Sequence, residues 1–331
     1  MTCQWAECCE DELTMQDQIE PYSVSLSDLR PAQWLQEVKE LGETFGFYEP
    51  LGKRHHAVFI EEGDTLLVSF ESLPAIQALS DDARPEGFDI ARDRGWSCLS
   101  VLATRDTWFR DGEVYGFFDQ LTDDGFFEDF DKVIFYGAGP CGYAACAFSV
   151  ASPGATVVAL EPQATLDPRV TEWDDRFTEM RKLDFTHRYG FAPDMLEAAD
   201  AAYVVYDPQV PLDAMHSALF ERKGVTRFRA RHLGGGMQSH LAQMGVLQEL
   251  VYSSADGTLD AKLFAQLYRK RRNHVTYCKK LFGAVEASER PYMAEAVCAY
   301  IVDNWGAPRY RRKLKSLRNE RDTSDESDDE N

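Results

Sequence analysis

The sequence predicts an α/β fold, a mostly parallel sheet flanked by helices, followed by a C-terminal helical module. Three observations carry that expectation. Between residues 56 and 230, short apolar runs rich in β-branched residues alternate with helical periodicity, the pattern of strands joined by crossover helices. Within that region "KVIFYGAGPCGYAACAFSV" sets a glycine-rich turn between a strand and a helix. From Leu259 onward only helical periodicity remains. With 331 residues, 44% of them hydrophobic, the chain can bury one large core or two small ones.

Taken in order, residues 1–27 read as a loose extension, with Met15 a candidate start. A helix is expected over Pro31 to Leu41, with Asp28 as its cap and Trp34, Leu35 and Val38 on one face. "HAVFIEE" and "TLLVSFE" read as strands joined by a turn at Gly63-Asp64, and "WSCLSVLAT" as a third. Glu113 to Phe130 contains a helix whose stripe is Val114, Phe117, Phe118 and Leu121. "KVIFY", a helix over Gly142 to Val150, and "ATVVAL" follow, then an irregular charged stretch over 163–188. "AAYVVYD", a helix over Asp213 to Phe220, and "VTRFRA" complete seven strands. The α/β region is assigned to residues 28–257 and the helical module to 258–318. One helix pair of that module has a degenerate tetratricopeptide look. Residues 319–331, ending in "DTSDESDDEN", read as an acidic disordered tail.

The glycine turn reads two ways. Gly137, Gly139 and Gly142 match G-x-G-x-x-G after a strand and before a helix, and Glu161 ends the next strand. In a dinucleotide-binding unit Gly137 makes the tight turn, Gly139 admits a pyrophosphate and Gly142 lets the helix pack closely. Glu161 would then bond a ribose hydroxyl, and NAD(P) or FAD would be the cofactor. The same turn is where a nucleophile elbow sits. Asp207 ends the sixth strand, and His232 and His240 follow the seventh, giving the order elbow, acid, histidine. Three strands before the turn, and that downstream order, favour the second reading, which requires no cofactor. Asp207 either orients a histidine or opens an Asp-Pro turn. Spacing does not choose between His232 and His240.

The stretches "VIFYGAGPCGYAA", "EPQATLDP", "YDP…DAMHSALF" and "LAQMGVLQELV" resemble an α/β-hydrolase-like family of alphaproteobacteria, over roughly Val58 to Tyr252. Some relatives accompany glycosyltransferases and tetratricopeptide modules. The resemblance implies an elbow like G-S-S-M-G-G-Y. The nucleophilic serine then falls on Gly139, so the elbow is degenerate and Asp207 has no hydroxyl to activate. Such proteins are sometimes labelled phosphoadenosine phosphosulfate reductases. The S-G-G-K-D-S-like loop and E-C-G cysteine of that chemistry are missing from this sequence. The resemblance implies a divergent protein that binds a small ligand or a protein partner at the elbow.

Charge and cysteines narrow the remaining classes. A net charge of −21 argues against general nucleic-acid affinity, although residues 258–321 carry 15 Lys and Arg against 6 Asp and Glu. "YRKRRNH" and "RYRRKLK" read as solvated helix faces or anion-binding runs, and the acidic tail could fold onto the latter. No apolar run approaches the roughly 20 residues of a membrane span, and the N-terminus lacks a signal-peptide pattern. These observations predict a soluble cytoplasmic protein. Cys98, Cys141, Cys146 and Cys298 lie in apolar stretches and read as buried thiols. Cys141 alone sits where a helix N-terminus could lower a thiol pKa. Cys3, Cys8 and Cys9 have no metal-ligand spacing, and His55-His56 shows no partner in sequence. Asp213 and His216 share a helix face at a metal-compatible spacing without a second pair, so an exposed face is expected and no metal.

Overall fold

The computed structural model describes residues 21, 22 and 24–328, with side chains described as far as Arg321. The expectations about residues 1–20, including Met15 and the early cysteines, and about residues 329–331 lie outside the described residues. The end of the stretch expected to be loose is not: Tyr22 and Leu26 are buried in the core, and the Tyr22 hydroxyl donates to Trp96 O (2.8 Å).

The chain opens with α1 (Pro31–Phe45), started by a proline that needs no hydrogen-bonded N–H. Arg30 occupies the cap position, and Asp28 lies two residues too early, with its φ at +59°. Then follow β1 (Gly46–Leu51), β2 (His55–Ile60), β3 (Thr65–Ser72), α2 (Leu73–Leu79), α3 (Glu86–Arg92) and β4 (Ser97–Ala103). The middle of the chain supplies α4 (Gly112–Asp123), β5 (Lys132–Ala138), α5 (Pro140–Phe148) and β6 (Thr156–Leu160). Two single turns, α6 (Pro168–Thr171) and α7 (Ala192–Met195), punctuate the irregular stretch before β7 (Ala201–Tyr206), α8 (Pro211–Leu219) and β8 (Val225–Arg229). Six helices close the chain: α9 (Met237–Gln243), α10 (Leu247–Ala255), α11 (Ala261–Leu267), α12 (Val275–Ala287), α13 (Pro291–Trp305) and α14 (Pro308–Asp328).

Among the described residues, eight strands form one sheet in the order β1-β2-β4-β3-β5-β6-β7-β8. β1 and β2, and β2 and β4, pair antiparallel; every other pairing is parallel. The sequence reading missed β1 because "GFYEPL" has no clean alternation and contains Pro50, which an edge strand tolerates. The turn at Gly63-Asp64 does join β2 to β3, but they are not a hairpin. β4 lies between them, antiparallel to one and parallel to the other.

Period-two alternation sends side chains to opposite faces of the sheet. Ile134 and Tyr136 of β5 join the core under α1, α3 and α10. Val133 and Phe135 join the opposite core, under α4 and α5. There Phe70, Phe118 and Phe148 stack, with Phe118 and Phe148 ring centres 4.7 Å apart. A third apolar cluster, including Cys278, Phe282, Cys298, Ile301 and Leu314, belongs to α12–α14 alone. The helix α14 carries helical backbone to Asp328, past residue 319 where an unstructured tail was expected. Its Arg318 and Arg321 pair with Glu295 of α13, which ties the helix down. Among the described residues, no helix is long and apolar enough to cross a membrane.

This strand order creates one special place. The chain leaves β3 toward β4 on one side and leaves β5 toward β6 on the other. The crevice at the carboxyl ends of β3 and β5 is therefore a topological switch point, where open α/β sheets bind ligands.

Candidate functional site

The glycine turn stands at that crevice. β5 ends at Ala138 and α5 starts at Pro140, leaving Gly139 to reverse the chain at φ +56°, ψ −124°. Its N–H donates to the Leu160 carbonyl (2.8 Å), and its own carbonyl accepts from Tyr143 (3.0 Å). A Cβ on Gly139 would meet nothing within 4 Å, so a side chain would have room but would sit in strained backbone. Gly137 differs: a Cβ there would fall 2.2 Å from the Cys141 carbonyl oxygen. On Gly142 it would come within 3.1 Å of Leu160 O. The first glycine is thus demanded by the turn itself, the last is favoured by its close approach to β6, and the middle one by its dihedral angles.

Asp207 lies buried at the end of β7, with Oδ1 accepting from Gln209 N (2.9 Å) and Oδ2 from Gly234 N (2.7 Å). It ties the β7 and β8 loops together and bonds neither histidine. His232 follows β8 with φ +64°, and its ring edge packs on Tyr277 of α12. Burial lowers its pKa, with Asp207 opposing more weakly. His240 sits on α9 and meets His274 (Nδ1 to Nε2, 3.2 Å). The histidine loop is gripped by the C-terminal helices. Tyr268 donates to Arg231 O (2.7 Å), and Lys280 Nζ donates to Leu233 O.

Glu161, at φ +41°, turns its Oε1 to the first amides of α9, Gly236 N and Met237 N, each at 3.2 Å. The carboxyl expected to hold a ribose therefore ties a helix start instead, and burial raises its pKa to about 7. That leaves the glycine turn without its acidic partner for a dinucleotide.

Asp213 and His216 are not an exposed face but buried, because the irregular stretch folds over them. His216 Nδ1 accepts from Ala164 N (3.1 Å), so its Nε2–H donates to Asp174 (2.8 Å). Arg176 grips Asp174 and reaches Asp213 (2.6 Å). These bonds outweigh burial and hold Asp174 well below the usual carboxylate range. Among the described residues, no group of three or more His, Cys, Asp or Glu could hold a metal ion.

Beside the elbow opens a cavity of ≈ 230 Å³, walled by Phe70, Ile76, Leu79, Trp108 and Phe109 and reaching Ala138, Pro140 and Cys141. Trp108 and Phe109 are consecutive non-glycine residues at positive φ (56° and 53°), the strained backbone often found at ligand sites. Burial, not helix activation, governs Cys141, whose thiol is pushed well up in pKa. The polar floor was missed from sequence. Glu71, the last charged residue of "TLLVSFE", is buried and accepts from Ser69 Oγ (3.0 Å) and from the α3 amides Glu86 N (2.7 Å) and Gly87 N (2.9 Å). Burial outweighs those bonds and raises its pKa to about 6. Glu86 is raised to about 7, by burial first and then by Glu71 and Asp89. Neither has an ion-pair partner among the described residues, and Arg84, which also lines the cavity, is spent on Asp82 (2.9 Å) and Asp89 (3.1 Å). The only sequence signal was an acid closing an apolar strand.

A mostly parallel sheet with flanking helices, a sharp βα turn after β5, an acid after β7 and a histidine loop after β8 make this an α/β-hydrolase-like fold with a helical C-terminal region. No protein-family model matches the chain, and no curated protein matches it. Among solved structures it is similar to the capsule O-acetyltransferase of Neisseria meningitidis serogroup A. That match has 12% identity and a TM-score of 0.41, over 61% of this chain and 91% of the other. It is similar too to Mycobacterium tuberculosis MPT51 (12% identity, TM-score 0.38, 63% and 98% covered). A third is mouse alpha/beta hydrolase domain-containing protein 10 (11% identity, TM-score 0.39, 64% and 98% covered). The fold class rests on the chain's own strand order and turn, and nothing of these proteins' chemistry passes to it.

Proposed function

We propose that this chain is an α/β-hydrolase-fold protein that works without a serine nucleophile, binding a small ligand in the cavity beside the elbow. The observation that carries this reading is Gly139 at the elbow's apex, where a hydroxyl would be needed, with a walled cavity opening against it. Asp207 supports it, since both its oxygens accept backbone amides and neither is directed to an imidazole. The reading requires no cofactor. Free Cys98, Cys141, Cys146, Cys278 and Cys298 suit a reducing, cytoplasmic setting. A protein partner on the helical region is a second reading, favoured by Tyr292, Met293 and Tyr300 exposed along α13.

The test combines a fluorophosphonate label with ligand binding by NMR. The reading expects no covalent labelling, and small-molecule shifts that cluster at Ala138, Cys141 and Thr107. Labelling of any serine together with ester turnover would overturn it.

A further inference from the structure

Next to the two acids of the cavity wall, a buried polar group lacks a partner. Tyr136 of β5 is fully buried, and its hydroxyl has no hydrogen-bond partner. The groups that act on that hydroxyl are Glu86, Glu71 and Cys141, all of which line the cavity. A buried hydroxyl without a partner is costly, so one is retained where something else completes it. Two carboxyl groups that act on it, buried Glu71 and partly exposed Glu86, have no counter-ion among the described residues. Buried carboxylates are ordinarily paired with a cation. At the rim Arg105 and Asp106 are exposed neighbours of opposite sign, so they leave the floor's acidity uncorrected. The walls are apolar and aromatic.

We propose that the cavity takes a small organic cation, a protonated primary amine on an apolar body, with its ammonium seated at Glu86 and Glu71. An ammonium has three donors and no acceptor, which matches carboxylates that carry no counter-ion. A carboxylate ligand would meet like charge, and a neutral alcohol would leave the acids uncompensated. Seating the cation favours the ionised carboxyls, so binding releases protons where Glu86 would otherwise hold one. The groups facing Glu86 are Glu71, Asp89, Tyr136, Gln238, Gln248 and the paired Arg84. The proposal rests on the reading of the cavity as a ligand site.

The experiment titrates the full chain with benzylamine, benzyl alcohol and benzoate by calorimetry at pH 8 and pH 6. The expected result at pH 8 is benzylamine binding tighter than either analogue by about tenfold or more, the size of one close charge interaction. The preference shrinks at pH 6 as Glu86 takes up its proton. Glu86→Gln erases that preference over benzyl alcohol. Benzyl alcohol or benzoate binding as tightly as the amine overturns the cation assignment and leaves the ligand-site reading standing. An amine preference that survives Glu86→Gln also overturns it. Binding of no probe overturns both.

Discussion

Two buried polar clusters in this molecule obey opposite rules. In the Asp174–Arg176–His216–Asp213 cluster every carboxylate has a cationic or imidazole partner within 2.8 Å, and the acid at its centre is held strongly ionised. In the Glu71–Glu86–Tyr136 cluster the carboxyls lack cations, the hydroxyl lacks a partner, and burial drives the acids toward their neutral forms. The first cluster is closed, and it clamps residues 164–176 onto α8. The second is open and faces a cavity. Burial alone does not mark a functional site. What marks this one is acids without a counter-ion next to space.

That contrast can be broken by mutation. Asp174→Ala should have the largest effect, destabilising the fold by about 3–5 kcal/mol in urea melts, because it leaves Arg176 and His216 without their shared carboxylate. Glu71→Ala should cost about 1–3 kcal/mol by orphaning the Glu86 and Gly87 amides, partly offset by removal of a buried acid.

The pH responses should run in opposite directions. Asp174, whose folded pKa is depressed, contributes stability above the ordinary carboxylate range that is lost as pH falls through and below it. Glu71 and Glu86 have raised pKa values, so the folded state holds their protons more tightly than the unfolded chain does. Their contribution is present below about pH 4.5 and is lost as pH rises through about 6 to 7. Thermal melts between pH 5 and pH 8 should therefore show a decline in the wild type that Glu86→Gln flattens.

Gly139→Ser should cost about 1–3 kcal/mol, from a side chain at positive φ in otherwise open space. It should bring no turnover of p-nitrophenyl acetate, since Asp207 bonds amides and His232 packs on Tyr277. Turnover that Asp207→Asn then abolishes would mean that the triad is assembled after all. Tyr136→Phe should be the mildest change, within about 0.5 kcal/mol of wild type, because no hydrogen bond is lost.

The backbone of this account was legible in the sequence wherever the signal was local. The β5–α5 turn showed itself because Gly137 and Gly142 serve contacts only a few residues or one strand away. Strands as apolar as β4 and β6 announced themselves by composition. The edge strand β1, interrupted by Pro50, did not. What stayed hidden was the pairing of polar groups across long separations. Glu161 matched a ribose-binding position in spacing, yet its amide partners lie 75 and 76 residues onward. Asp213 and His216 looked like an exposed face because Asp174 and Arg176, which cover them, come from an irregular stretch with no periodicity. Tyr136 read as one more apolar strand residue. Only the arrangement of β3, α3 and β5 brings its hydroxyl under the influence of two acids.

The most direct test of the open cluster is a carbon-detected NMR titration of the glutamate side-chain carboxyls, with and without benzylamine. Glu86 should titrate near 7 in the free protein, and saturating amine should move its midpoint down toward the ordinary carboxylate range. A Glu86 midpoint near 4.5 in the free protein, or one that the amine leaves unmoved, would contradict that expectation.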